Sequence, residues 1–318
     1  MPNTGHGRVS WITRRPKNIC KMGFAKPRQN VQDWITQQWV ITFGKRIDKT
    51  NQKWLLGPFG STDGIGKKFI YELAQKENLV VDDLQNDKGL IQSINQLNFP
   101  KSRLNLLSKE VIDFYENTSN YDLKLKVKWN PLFKGFGILV KILFSKRIKQ
   151  LNVPTRNHKD SSELTSDIIQ FLDSKTNEVK RTIWLRTFKS NGEIVYSGVY
   201  GTCKTPSGEA CIKAIFPLPN GNATVILSPK IGNNGELILD SSGKKIGDSG
   251  FYFLLEDSKG RLWTKFIKSF KDKLVVQSKN GKLSAQQTLF LWNMRVLKFD
   301  YKIERLRTKK PKLPQNMA

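Results

Sequence analysis

The chain of 318 residues is long enough for one large domain or two ordinary ones with an ample core. Its formal net charge of +27 predicts attraction to polyanions such as nucleic acid, anionic lipid or an acidic protein, although an evenly spread lysine surface would serve solubility alone. Three cysteines and two histidines without metal-ligand spacing argue against a metal centre. No apolar segment of a signal peptide follows the N-terminal arginines, so we expect a cytoplasmic protein, with peripheral association at a membrane as a further expectation.

Both ends of the chain are basic. Residues 1–32 predict an irregular basic arm, because lysines and arginines recur there with no acid before Asp33. Residues 305–318 predict a similar basic tail. Such arms are typical of poorly ordered termini, and they provide a route to nucleic-acid binding.

The region 33–120 is predicted to be mainly helical. Residues 33–47 mix tryptophans with aliphatic residues and favour a helix that turns into a strand. Apolar residues at helical spacing predict a short helix over 67–75 and a further helix over 109–117. Between them, residues 79–107 show a looser helical pattern.

The segment Trp129–Pro154 predicts a helix at 132–150 that is unusually apolar. A helix of this kind is either buried inside the protein or lies at a membrane surface. It is too short to span a bilayer, because Lys141 interrupts the apolar run. The candidate ligand contacts on this helix are Phe136, Val140 and Leu143. The candidate contacts with an anionic membrane or another polyanion are Lys141, Lys146, Arg147 and Lys149.

From Tyr121 onward the apolar pattern has a period of two. Leu123, Leu125 and Val127 alternate with lysines, which is typical of a half-buried strand. Further short alternating segments follow, and tight turns such as Asn220-Gly221 separate them. About ten strands joined by hairpins predict an antiparallel meander that closes into a barrel or forms a strongly curved sheet. The expected fold class is α+β, mainly β, with a helical N-terminal part packed on a β domain over 121–304.

No catalytic motif is present. The loop Gly60–Lys68 fails the phosphate-loop pattern, since its first glycine comes too early and Lys68 occupies the Ser/Thr position. Neither His6 nor His158 lies in a segment suited to a rigid nucleophile–base pair. Carboxylate chemistry inside the barrel stays open, because several acids lie in or beside strands: Glu193, Glu209, Asp248 and Glu256.

Two polar segments, 216–223 and 247–253, interrupt the apolar strand sequence. Within them Asn220, Asn222 and Asp248 are candidate ligand-binding residues at the mouth of the barrel. The same side chains could instead fix their own loops as Asx-turns, which is the alternative that turn chemistry favours.

Three short segments carry a resemblance: LFSKRIKQLNVP at 143–154, FPLPNGNA at 216–223 and GDSGFYF at 247–253. Through them the chain resembles an uncharacterised family of bacterial proteins of unknown function, over about residues 115–303. The resemblance implies a widespread bacterial domain, and it brings no activity or catalytic residue.

These observations favour a non-enzymatic binding domain for an apolar or lipid-like ligand, with the helix at 132–150 closing one end of the barrel and the basic surface favouring anionic membranes. The first alternative is a nucleic-acid-associated basic protein, and the second is an enzyme with carboxylate chemistry in the barrel. No cofactor is expected.

Overall fold

The computed structural model describes residues 23–27, 29–60, 67–84, 87–133 and 162–306. Its α-helices are α1 (Val31–Phe43), α2 (Lys67–Lys76), α3 (Lys101–Leu104) and α4 (Lys109–Glu116), with 3-10 turns at Ile94–Leu97, Thr118–Asn120 and Pro131–Phe133. The first seven strands are β1 (Lys45–Ile47), β2 (Leu79–Asp82), β3 (Tyr121–Trp129), β4 (Ser162–Asp173), β5 (Val179–Phe188), β6 (Ile194–Lys204) and β7 (Ala210–Leu218). The remaining strands are β8 (Gly221–Ile231), β9 (Leu237–Asp240), β10 (Gly250–Glu256), β11 (Leu262–Phe266), β12 (Phe270–Lys279), β13 (Lys282–Leu291) and β14 (Met294–Arg305).

Ten of these strands form a closed antiparallel barrel, which confirms the predicted fold class. Around the barrel the order is β8, β7, β6, β5, β4, β3, β14, β13, β12 and β9, and β9 pairs back to β8. The closing seam is short, because β9 contributes only four residue pairs to each neighbour. A closed barrel leaves no exposed sheet edge within the ring.

Strand β8 is a branch point of the single 14-stranded sheet of the described residues. Its second half pairs with β9 inside the barrel, whereas Gly221–Ile226 pairs with β10. Strand β10 then pairs with β11, and β11 pairs with β1. This branch continues the barrel wall outward, and α1 packs on it through Val40 and Ile41.

The hairpin turns follow directly from the sequence. Asn220 has φ +57° in the turn between β7 and β8, and Asn280 and Gly281 have φ +51° and +72° between β12 and β13. Asparagine and glycine tolerate the left-handed backbone that a two-residue hairpin turn requires. These residues therefore fix the register of the strands on either side.

Apolar residues pack on both faces of the barrel wall. The largest cluster fills the barrel interior and extends into the helical cap, which we define as residues 87–120. In this cap Leu90, Val111 and Phe114 are buried against the barrel strands. On the outer face, α2 covers the wall with Phe69 and Leu73 packed near Phe171.

Two details differ from the sequence-based expectations. The loosely helical pattern over 79–107 contains β2, which extends the sheet beside β4 through pairs from Leu79↔Asp173 to Asp82↔Gln170. Tertiary pairing there outweighs a weak local pattern. Of the predicted helix at 132–150, only residues 132 and 133 lie in the described part of the chain, in a 3-10 turn. The domain boundaries drawn from the sequence stay predictions.

Candidate ligand-binding site

The barrel interior contains a cavity of about 70 Å³. Most of its wall is apolar, and it includes Ile212, Val225 and Leu239 from the barrel strands. Gly198 makes room beside this space, because a Cβ atom there would lie 2.8 Å from the ring of Phe216. The barrel is therefore largely filled by its own side chains around this cavity.

Five polar side chains reach into the cavity from the surrounding strands, and we call them the polar cluster: Arg186, Tyr200, Asp272, Gln287 and Tyr301. Strands β5 and β6 supply Arg186 and Tyr200, whereas β12 and β13 supply Asp272 and Gln287. In the ring of ten strands these two pairs lie on opposite walls. The two pairs of polar side chains therefore face each other across the interior of the barrel.

Asp272 is the most unusual member of the polar cluster. Its side chain is buried, and its Oδ2 accepts a hydrogen bond of 2.7 Å from Nε2 of Gln287. Its Oδ1 is buried without a hydrogen-bond partner among the described residues. Burial raises the pKa of Asp272 to about 7, although the hydrogen bond from Gln287 acts in the opposite direction and lowers it. An unpaired buried carboxyl oxygen costs stability, and such groups are concentrated at functional sites.

On the wall opposite Asp272, the side chain of Arg186 contacts aromatic residues. Its guanidinium carbon lies 4.1 Å from the ring centroid of Trp184, and Nε1 of that tryptophan donates a 2.8 Å hydrogen bond to Ser166. Burial raises the pKa of Tyr301, and a hydrogen bond with Arg186 partly offsets this effect. Burial likewise raises the pKa of Tyr200 to about 12, so both tyrosines keep their hydroxyl protons at neutral pH.

The end of the barrel away from the helical cap carries half-buried apolar side chains that pack against the interior core. We call them the rim: Phe188, Phe216, Phe251, Phe270 and Leu289. Within the rim, the rings of Phe251 and Phe270 lie 4.9 Å apart between centroids. Leu289 is the direct cross-strand partner of Asp272. The rim thus connects the polar cluster to the more exposed end of the barrel.

The three described residues that the sequence singled out do not line the cavity. Nδ2 of Asn220 donates to Gln29 at 2.9 Å, and Nδ2 of Asn222 donates to the carbonyl of Pro58 at 3.3 Å. The carboxylate of Asp248 accepts hydrogen bonds of 2.9 and 3.1 Å from the backbone N–H groups of Lys244 and Lys245. The contacts of Asp248 fix its own loop, as the Asx-turn alternative expected, whereas Asn220 and Asn222 bond to segments that are distant in sequence. Their role in ligand binding stays a prediction.

The other sequence-based candidates lie outside the described residues. They are Phe136, Val140, Leu143, Lys141, Lys146, Arg147 and Lys149. Most of the basic arm at 1–32 and of the tail at 305–318 also lies outside the described residues. Contact with an anionic membrane and binding of nucleic acid therefore stay predictions.

Three of the carboxylates that left an enzymatic function open have hydrogen-bond or ion-pair partners in the structure. Glu256 forms an ion pair of 2.9 Å with Lys26, Glu209 accepts a hydrogen bond from Ser228, and Asp248 caps its own loop. The buried carboxyl of the barrel interior is Asp272, which the sequence analysis did not select.

The sequence does contain a signal for the polar cluster. Asp272 and the buried Val276 lie on the same face of β12, because they are an even number of positions apart. For the same reason Arg186 shares a face of β5 with the buried Trp184. A polar residue at an inward position of an alternating strand indicates a buried polar group. Finding the polar cluster therefore requires two pieces of knowledge: which residues of each strand face inward, and which strands lie opposite one another in the barrel. The order of strands supplies the second.

Comparison with known proteins adds one relative. The chain is 27% identical over 267 residues to the Bacillus subtilis (strain 168) protein named "Uncharacterized membrane protein YndJ". The match covers 83% of this chain and 46% of the relative, so this chain spans about half the length of that protein. No protein-family model matches, and no solved structure matches.

This comparison confirms the resemblance to uncharacterised bacterial proteins. It also corrects the expected localisation: the prediction of a cytoplasmic protein is wrong, because the matching relative is named as a membrane protein. In the described part of the chain, no helix has both the length and the apolar character needed to cross a membrane. The localisation of this protein is not established.

Proposed function

We propose that the barrel is a non-enzymatic binding domain for a small apolar or lipid-like molecule, whose polar end enters the interior cavity. The observation that carries this proposal is the unpaired, buried Oδ1 of Asp272 in a cavity whose wall is otherwise mainly apolar. Binding sites for small molecules combine apolar walls with a few convergent polar groups in this way.

The size of the cavity limits how the ligand is bound. Pockets that enclose a drug-sized molecule occupy roughly 300–1,000 Å³, whereas this cavity is about 70 Å³. The cavity accommodates the polar end and the first few atoms of a ligand. The apolar remainder would lie against the rim, where Phe216 contributes to both surfaces.

The membrane-protein name of the relative suits a ligand that partitions into lipid, although that name describes the relative only. Occupation of the cavity by a ligand would also offset the desolvation of Asp272, because a hydrogen bond would then satisfy its Oδ1. The proposal therefore accounts for a feature that is costly in the unliganded protein.

Filling the cavity tests this proposal. Ala214 lies on the cavity wall opposite Val225 in the β7–β8 pairing, so Ala214→Leu occupies the space that the ligand would need. The matched control is Ala210→Leu, which makes the same change at a buried position of the same strand that does not line the cavity. The three proteins are purified at high salt and denatured, and the released small molecules are identified by mass spectrometry.

We expect a stoichiometric apolar or lipid-like molecule from the wild-type protein and from Ala210→Leu, and at least a tenfold lower yield from Ala214→Leu, about 1.4 kcal/mol or more. An equal yield from all three folded proteins would place the ligand elsewhere. No bound molecule, together with no binding of added apolar compounds that carry different polar end groups, would contradict the proposed function.

A further inference from the structure

The polar cluster also constrains which chemical group the ligand presents. Among the described residues that line the cavity, both a cationic side chain, Arg186, and an ionisable acid, Asp272, are present. A charged end group of either sign would be attracted by one of these ionised side chains and repelled by the other, so charge alone gives it no clear advantage. A charged end group would in addition lose its hydration in a mainly apolar cavity. A neutral polar group avoids all of these costs.

The hydrogen-bonding capacity of the cavity is also mixed. Oδ1 of Asp272 is unpaired and accepts a hydrogen bond when the carboxyl is ionised, but the same carboxyl can donate a proton when it is protonated. Tyr200 lines the same space, and its hydroxyl can donate or accept. A group that both donates and accepts is therefore compatible with either protonation state of Asp272.

We propose that the polar cluster is a recognition site for the hydroxyl group of a neutral alcohol, which donates to Oδ1 of Asp272 and accepts from the hydroxyl of Tyr200. The alcohol's carbon chain runs along the rim. This inference rests on the proposed function, because it names the end group of the ligand that the barrel binds.

Burial is the largest influence on the pKa of Asp272, and neighbouring polar and charged groups modify it. Asp240, on the neighbouring strand β9, raises its pKa by repulsion, whereas Gln287 on β13 lowers it through a hydrogen bond. Tyr200 on β6 and Tyr301 on β14 interact electrostatically with both Asp272 and Arg186. The carboxyl of Asp272 consequently changes from acid to anion near neutral pH, with burial as the largest cause.

The test compares end groups on chains of equal length. Binding of n-hexanol, methyl pentyl ether, n-hexylamine and hexanoate to the full-length protein is measured by calorimetry at about pH 8 and about pH 5.5, on either side of the Asp272 transition. At the higher pH we expect the alcohol to bind about tenfold or more tightly than the ether, because an ether cannot donate to a carboxylate. At the lower pH the protonated carboxyl can donate, so the difference between alcohol and ether should shrink.

Variants separate the end-group inference from the proposed function. Asp272→Leu should remove the preference for the alcohol while leaving chain binding in place. The matched control Asp240→Asn changes a neighbouring acid that does not line the cavity, and it should retain the preference. Since the comparison of end groups uses the wild-type protein, it stands even if Asp272→Leu fails to fold.

Each outcome has a distinct meaning. Equal binding of alcohol and ether by the wild-type protein at both pH values would overturn the hydroxyl inference and leave the proposed function standing. Tighter binding of the amine or of hexanoate would overturn it as well. Failure of all four compounds to bind would contradict both the inference and the proposed function.

Discussion

At the scale of single residues, the molecule carries an unfavourable group at the centre of its barrel. Asp272 is 6% exposed, and its Oδ1 has no hydrogen-bond partner among the described residues. The folded protein therefore favours the protonated form of this carboxyl, whose pKa is raised to about 7 from the ordinary value of 3.8. The residue type alone would place Asp272 toward solvent, as is usual for an aspartate in an alternating strand, and only the strand face that it shares with the buried Val276 indicates burial. The register of the closed barrel is what turns it inward.

This raised pKa predicts how stability depends on pH. Between about pH 4 and pH 7 the folded protein holds more protons at Asp272 than the unfolded chain, so its contribution to the free energy of unfolding falls as pH rises. That contribution is fully present below the unfolded pKa, and it is lost once pH exceeds the folded pKa. Each unit of pKa difference corresponds to about 1.4 kcal/mol, which makes the total loss a few kcal/mol.

Asp272→Asn should remove this dependence. We expect the variant to have a higher melting temperature than the wild-type protein at about pH 8 and a similar one at about pH 4. The measurement is thermal unfolding followed by circular dichroism across this range, with Glu72→Gln, a change at an exposed carboxylate of α2, as the control. A wild-type protein whose stability relative to Asp272→Asn does not change with pH would contradict the raised pKa.

At the scale of elements, the barrel closes through its shortest strand. Strand β9 has four residues, and its pairs with β8 and β12 complete the ring. Leu237 and Leu239 point inward with 0% and 1% exposure, whereas Ile238 lies on the other face and is partly exposed. Much of the arrangement of strands was predictable from the sequence, since the alternation of apolar and polar residues and the turn residues located the strands of the β domain. The split pairing of β8 was not, because it depends on contacts distant in sequence.

Truncating one side chain in this seam tests how much closure depends on it. Leu237→Ala leaves a cavity in the interior core, and such changes typically cost about 2–5 kcal/mol. Ile238→Ala, on the outward face of the same strand, should cost much less. Chemical denaturation gives both values, and similar losses from the two variants would show that burial in the seam does not control stability.

At the scale of the whole molecule, the protein combines a closed barrel, a helical cap at one end and a half-buried apolar rim at the other. This arrangement gives the interior a polar centre with an apolar approach, which is the basis of the proposed binding function. The sequence predicted the barrel because strand periodicity and hairpin turns are local signals. It could not show whether the barrel was hollow, because the filling depends on how large side chains such as Trp184 and Tyr200, in ring contact on adjacent strands, occupy the interior. The high positive charge identified a class of possible partners but not this site.

The most direct test of a ligand-binding barrel interior is to determine where an added alcohol binds. Methyl groups of Ile212, Val225 and Leu239 line the cavity, whereas those of Ile183 and Ile215 lie on the outer face against α2. Methyl NMR spectra recorded during a titration with n-hexanol distinguish the two sets. We predict saturable shifts confined to the cavity methyl groups, and loss of these shifts in Ala214→Leu. Shifts limited to the outer methyl groups, or no saturable shift at all, would contradict a ligand-binding barrel interior.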